Sequence, residues 1–159
     1  MKKPTISILG RPNVGKSTLF NRLIGKRKSI VSPVEGVTRD RIYGTFTWLE
    51  KEYKLIDTGG YIYNTDEVID VQVNKQAELA TNSSDLIIFM VDGRSDITAN
   101  DRVLSDTIKK SGILSILVIN KIDEKDNFEN MYEYFELGFE KIIEISAQSG
   151  RQVGLLLDE

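Results

Sequence analysis

The sequence predicts an α/β fold: an open, mostly parallel sheet of six strands, one of them antiparallel, with helices on both faces. Three observations lead there. Short apolar or β-branched runs alternate with stretches of helical periodicity along the chain. Two runs, around Leu86–Val91 and Ile116–Ile119, are continuously apolar, as expected of strands buried on both faces. One pair of runs is separated by only a few polar residues, which makes a hairpin.

Taken in order, Thr5–Leu9 (TISIL) reads as the first strand. Lys16–Ile24 follows as a helix, with Leu19, Phe20, Leu23 and Ile24 on one face and Gly25 as its stop. Ile42–Leu49 carries Ile42, Phe46, Trp48, Thr45 and Thr47, a β-favouring set. Glu50-Lys51-Glu52 reads as a polar turn, and Tyr53–Ile56 as the returning strand. Val68–Ala80 is expected to be helical, then Leu86–Val91 a strand. Asp101–Lys110 is expected to be helical, with Val103, Leu104 and Ile108 spaced for burial. Ser115–Ile119 is a further buried strand, Met131–Leu137 a short amphipathic helix, and Ile142–Ile145 the last strand. The end, VGLLLDE, reads as a helix just beginning, and a helix that short is marginal alone. Residues 1–159 are therefore expected to form one domain of a longer protein.

Composition narrows the chemistry. The 159 residues contain no Cys and no His. That removes a disulfide framework, thiolate metal sites and the commonest general base. The work must fall to carboxylates, Lys and Arg, hydroxyls, amides, backbone dipoles and the ions these can hold. Net charge is -3, so the chain is not a strongly basic nucleic-acid binder, and no DNA partner is expected. The run Lys26-Arg27-Lys28 reads as a solvated helix end. MKKPTIS lacks the apolar stretch and cleavage site of a signal peptide. The apolar runs fall far short of the roughly 18 residues a spanning helix needs, so no membrane partner is expected and a cytoplasmic location is the default.

Gly10–Ser17 reads GRPNVGKS, a match to G-x-x-x-x-G-K-[ST], placed after a strand and at the start of a helix. The glycines let the backbone fold tightly and approach a phosphate. The loop N–H groups and the helix N-terminus then face the anion. Asn13, Val14, Gly15, Lys16, Ser17 and Thr18 are the candidate phosphate-binding residues. Lys16 would reach the β- and γ-phosphates as a point charge, Ser17 would bind Mg²⁺ through its hydroxyl, and Thr18 could donate to the α-phosphate.

Asn120-Lys121-Ile122-Asp123 follows a buried strand, at the carboxyl edge where such sheets bind ligands. Asn120, Lys121 and Asp123 are the candidate base-binding residues. A carboxylate at Asp123 can accept from the ring N–H and exocyclic amine of guanine, a donor pair adenine lacks. Ser146-Ala147, after the last strand, could offer a backbone N–H to the guanine carbonyl.

Asp57-Thr58-Gly59-Gly60 ends the third strand. Asp57 can hold Mg²⁺ through water, and the Gly60 N–H can meet a γ-phosphate only while that phosphate exists, which makes a switch. Lys26–Asp40 reads as a mobile loop, and its Thr38 is the candidate second hydroxyl ligand of Mg²⁺. Arg39 and Arg41 read as structural ion-pairing residues. The chemistry assembled is binding of GTP or GDP with Mg²⁺ and slow hydrolysis of GTP, with Lys16, Thr38 and Gly60 as candidate catalytic residues. Two rivals stand beside it: a GTP-sensing module with negligible hydrolysis, and an ATPase, against which Asp123 argues.

GRPNVGKS, a Thr loop, DTGG, NKID and SAQSG, in this order and spacing, resemble the Ras-like (TRAFAC) P-loop GTPases. The stretches SPVEGVTRDRIYG, LIDTGG, FMVDGRSDIT and SAQSGR resemble the first G domain of the bacterial EngA/Der GTPases, over essentially the whole chain. The resemblance implies a partner in the large ribosomal subunit or its rRNA, reached through further domains that EngA/Der proteins carry. Era-like or MnmE-like membership is the alternative, and GVTRDRIYG discriminates against it. One position departs from Ras-like enzymes: Tyr61 stands where those carry the Gln that orients water. The resemblance implies that Asn13 compensates by helping to hold K⁺ beside the phosphates, with carbonyls near Ser32–Gly36 completing that site.

Overall fold

The computed structural model describes residues 2–25, 42–61, 69–124 and 131–159. The expectations for Lys26-Arg27-Lys28, Ser32–Gly36, Thr38, Arg39 and Arg41 lie outside the described residues. Within them the chain runs β1 (Thr5–Leu9), α1 (Lys16–Ile24), β2 (Ile42–Trp48), β3 (Lys51–Asp57), a 3₁₀ turn (Thr58–Tyr61), α2 (Ile69–Ser83), β4 (Leu86–Asp92), α3 (Ala99–Ser111), β5 (Leu114–Asn120), α4 (Met131–Glu136), β6 (Ile142–Glu144) and α5 (Val153–Asp158). The six strands form one sheet in the order β2-β3-β1-β4-β5-β6. The β2–β3 pair is antiparallel and the other pairs are parallel.

Side-chain alternation along the central strands divides the core into two layers. Ile6, Ile8, Ile88, Met90, Ile116 and Val118 pack with Leu19 and Phe20 of α1 and with Val153 and Leu156 of α5. Ile87, Phe89, Val91, Leu117 and Ile119 point the other way, against Val73 and Ala77 of α2, Leu104 and Ile108 of α3, and Tyr134 of α4. A strand buried on both faces has no polar side to expose, which is why β4 and β5 read as unbroken apolar runs.

Three expectations are corrected. The hairpin turn is Leu49-Glu50, not Glu50–Glu52, and Trp48 pairs with Lys51. Both turn residues have positive φ, 46° and 66°, as a two-residue hairpin turn requires, although neither is Gly or Asn. In α3 the inward positions are Asp101, Leu104, Ser105 and Ile108, while Val103 is 49% exposed, one position round the helix. The same helix starts at Ala99 because Thr98 and Asp101 form a reciprocal capping box, each side chain accepting from the other's backbone N–H. Among the described residues no helix is long and apolar enough to cross a membrane.

Candidate functional site

The carboxyl ends of β1, β3, β4 and β5 lie side by side, and each delivers part of one site. From β1 the chain turns through residues 10–15 into α1. Asn13 and Gly15 both adopt positive φ, 67° and 106°. Gly15 is the N-cap of α1, and no side chain caps that end. The first N–H groups of the helix therefore point out of the loop toward whatever anion lies there.

Lys16 is almost fully buried, at 6% exposure. Its ammonium donates to Gly10 O at 2.7 Å and Arg11 O at 2.6 Å. An ammonium has three N–H donors, so one remains for a phosphate oxygen. Burial lowers its pKa to about 8; the Asp57 carboxylate pulls it back up, and Arg11 pushes it further down. Asp57 is wholly buried at the end of β3, and burial pushes its carboxyl pKa up. Lys16, the Gly59 N–H at 2.9 Å and the Ser17 hydroxyl at 3.0 Å oppose that rise.

Ser17 Oγ and Asp57 Oδ2 make a hard oxygen pair, the donor chemistry Mg²⁺ takes. A carboxylate this buried beside one hydroxyl fits a divalent cation shared with phosphates. Among the described residues no group of three or more Asp, Glu, His or Cys forms an all-protein cage. Gly60 lies in the 3₁₀ turn directly after Asp57.

The base motif follows β5. Asn120 is buried, donating from Nδ2 to Val14 O at 2.8 Å and accepting at Oδ1 from the Ala147 N–H at 2.9 Å. Lys121 has φ 69°, and its ammonium donates to Asn13 O and to Asp92 Oδ2, both at 2.8 Å. The base motif and the phosphate loop are thus joined twice by side chains. Asp123 accepts from Ser146 Oγ at 2.8 Å and pairs with Arg94. Gly15, Thr18, Asn120, Asp123 and Ser146 line one cleft of about 290 Å³. The Ser146 and Ala147 N–H groups are donated to Arg151 O and Asn120 Oδ1. A guanine carbonyl would have to share or displace the second of these bonds.

Several residues that hold the site have no motif to mark them. Arg22 of α1 donates to Ala147 O at 2.5 Å and Gln148 O at 2.6 Å, fixing the loop after β6 to the phosphate helix. Arg11 donates to the buried Asp101 at 2.8 Å, fixing the phosphate loop to α3. Asp92 is legible afterwards: it ends β4 opposite Asn120, at the edge where the other functional strand ends gather. The Thr98–Asp101 pair is the capping-box spacing. Arg11 and Arg22 carry no such signal, because their partners are main-chain oxygens or residues distant in sequence.

Residues 5–121 match the family described as 50S ribosome-binding GTPase. The chain is 48% identical over its full length to GTPase Der of Alkaliphilus metalliredigens, but spans only 36% of that relative. It matches GTPase Der of Clostridium acetobutylicum at 46% identity, again over all of this chain and 36% of the relative. Among solved structures, Aquifex aeolicus Era Y63A bound to GDP·AlF₄⁻ is 31% identical with a TM-score of 0.76, covering 99% of this chain and 56% of that one. The G domain of the T. maritima FeoB iron transporter is 27% identical with a TM-score of 0.72, covering 99% and 96%.

Proposed function

The chain belongs to the 50S ribosome-binding GTPase family, and from that premise we propose that it is the first G domain of a Der-type protein, a switch that hydrolyses GTP with Mg²⁺. The observation that carries this reading is the shared cleft, in which the phosphate-helix residues Gly15 and Thr18 face Asn120, Asp123 and Ser146. One wall offers backbone N–H groups and an ammonium to a polyphosphate. The other offers a carboxylate to a purine with two adjacent donors.

In this reading Asn13–Thr18 cradle the phosphates. Lys16 uses its remaining N–H to neutralise charge on the transferring group. The Gly60 N–H senses the γ-phosphate. Ser17, Asp57 and Thr38 would hold Mg²⁺, which would supply positive charge beside the transferring phosphoryl group. Asn120, Lys121, Asp123, Ser146 and Ala147 bind the base. Unaided turnover is expected on the order of 10⁻³–10⁻² s⁻¹. Asn13 is proposed to help hold K⁺, which would do the work an arginine finger does elsewhere. Equal rates in K⁺ and Na⁺ would reject that part alone. By likeness to Der, the longer protein acts on the large ribosomal subunit in the cytoplasm, through parts beyond this domain. The Era-like alternative fits less well, at 31% identity against 48%.

Competition between GDP and ADP for a fluorescent guanine nucleotide, followed by single-turnover phosphate release, tests the reading. Comparable affinities for the two would defeat the guanine assignment. No release over hours with K⁺ present would favour the sensing module, the reading that Tyr61 supports.

A further inference from the structure

Among the described residues, Asp123 is the one carboxylate lining the cleft, and its two oxygens are held from different sides. Ser146 Oγ donates to Oδ1 at 2.8 Å. Arg94 donates from Nη2 to Oδ2. A carboxylate has about four lone-pair positions, two on each oxygen. These two bonds leave one on each oxygen, which is what a guanine ring N–H and amine, side by side, require. With Ser146 alone, the carboxylate could swing about its terminal torsion, whose energy well is broad. With both oxygens tethered, its plane is set.

Arg94 is itself delivered by a loop registered on the base motif. The Gly93 N–H donates to Asn120 O at 2.8 Å. A Cβ on Gly93 would stand 2.4 Å from Ile122 Cδ1, so the backbone approaches the motif more closely than a side chain permits. The Arg94 N–H donates to Asp92 Oδ1 at 2.8 Å, while Lys121 takes Asp92 Oδ2. The end of β4 and the loop after it therefore touch the NKID segment, Asp92 at Lys121, Gly93 at Asn120 and Ile122, and Arg94 at Asp123.

We infer that Arg94 is a specificity-determining positioning residue. It orients Asp123 for two-point acceptance from guanine, and the inference rests on the guanine reading above. The pair is open to solvent, with side-chain exposures of 66% for Arg94 and 47% for Asp123, so its influence is modest. An exposed ion pair of about 0.5–1 kcal/mol corresponds to about two- to fivefold in affinity.

The experiment measures Kd for GDP, IDP and ADP with the wild-type chain, Arg94→Ala and Arg94→Lys. Hypoxanthine keeps the ring N–H but lacks the amine, so IDP uses one oxygen of Asp123 where GDP uses two. Arg94→Ala is expected to weaken GDP about two- to fivefold and IDP less, shrinking the GDP:IDP ratio. Arg94→Lys should restore part of the ratio through a single donor. An unchanged ratio in Arg94→Ala, or tighter GDP binding, would overturn the inference, the latter by making Arg94 a competitor of the base. Loss of the wild-type preference for GDP over ADP would instead sink the guanine reading, so the two failures are distinct.

Discussion

Gly15 and Asn120 meet so closely that a single carbon added at Gly15 would lie 2.1 Å from the Asn120 amide nitrogen. The phosphate loop and the base motif are thus in van der Waals contact, besides their hydrogen bonds through Val14 O and Asn13 O. Gly15→Ala should therefore fail twice, from a left-handed backbone at φ 106° and from that contact. Strain of about 1–3 kcal/mol is expected. For a chain of this size it lowers Tm by about 2–4 °C per kcal/mol. Calorimetric unfolding together with GDP titration checks it, and wild-type affinity in the variant would refute the account of the loop.

Lys16 makes nucleotide binding pH-dependent. Burial lowers its pKa to about 8, below the ordinary 10.5, so the folded chain gives up this proton first as pH rises. Between those values the unfolded chain binds more protons, and this group makes stability rise with pH. Phosphates at the loop return the proton, so GDP affinity should fall as pH climbs through about 8. Calorimetry in buffers of different ionisation heat should find most of one proton taken up at about pH 8.5 and almost none at about pH 7. No uptake at the higher pH would mean that Lys16 keeps its ordinary basicity.

Gln76 on α2 is fully buried, and its Nε2 finds no partner among the described residues. Its Oε1 lies 3.0 Å from Thr58 Oγ1, which also donates to Ile8 O at 2.7 Å. A similarly sized apolar side chain removes an orphaned donor while Thr58 keeps its main-chain bond, but it also takes from the Gly10 N–H its long contact with Oε1 at 3.5 Å. Gln76→Leu should cost about 1 kcal/mol, the gain from removing Nε2 offsetting part of the loss at Gly10 N–H. Gln76→Glu would bury a charge and should cost several-fold more, a deficit that shrinks at acid pH as the carboxyl protonates. Denaturant unfolding at two pH values separates them; equal losses would contradict the assignment of Nε2 as unpaired.

Asp101 closes two structures at once, the cap of α3 and the bond to Arg11 of the phosphate loop. Its side chain is 1% exposed. Asp101→Ala should cost about 3–5 kcal/mol, as breaking a buried pair from one side does. It should also weaken GDP binding by freeing Arg11. Asp101→Asn, which keeps a cap acceptor, should recover stability more than affinity. Parallel recovery of both would argue against a direct link between α3 and the phosphate loop.

Much of this was legible because local chemistry and long-range position coincide. GRPNVGKS and NKID each follow a strand, and β1, α1, β4 and β5 read within a residue or so of their bounds. The hairpin turn misread because Leu49 and Glu50 adopt left-handed backbones without a residue that announces them. There the cross-strand register of Phe46 on Tyr53, whose rings stack at 5.2 Å, sets the turn from outside. Val103 misled because apolar spacing marks a stripe without fixing its centre, and the buried Asp101 and Ser105 turned that stripe. Contacts such as Arg22 with Ala147 O join residues 125 positions apart through main-chain oxygens, on which side-chain identity leaves no trace.

The strand order also carries a measurement. The phosphate loop leaves β1 and the base motif leaves β5, with β4 alone between them. Two strand spacings, about 10 Å, thus separate the strand ends from which the two loops depart, before those loops turn toward each other and meet. The sheet acts as a ruler whose graduation is the hydrogen bond between neighbouring strands, and Asp92 at the middle mark ties to Lys121. A change in strand pairing at β4 would shift one loop against the other and break the contacts at Gly15 and Asn120 that join them.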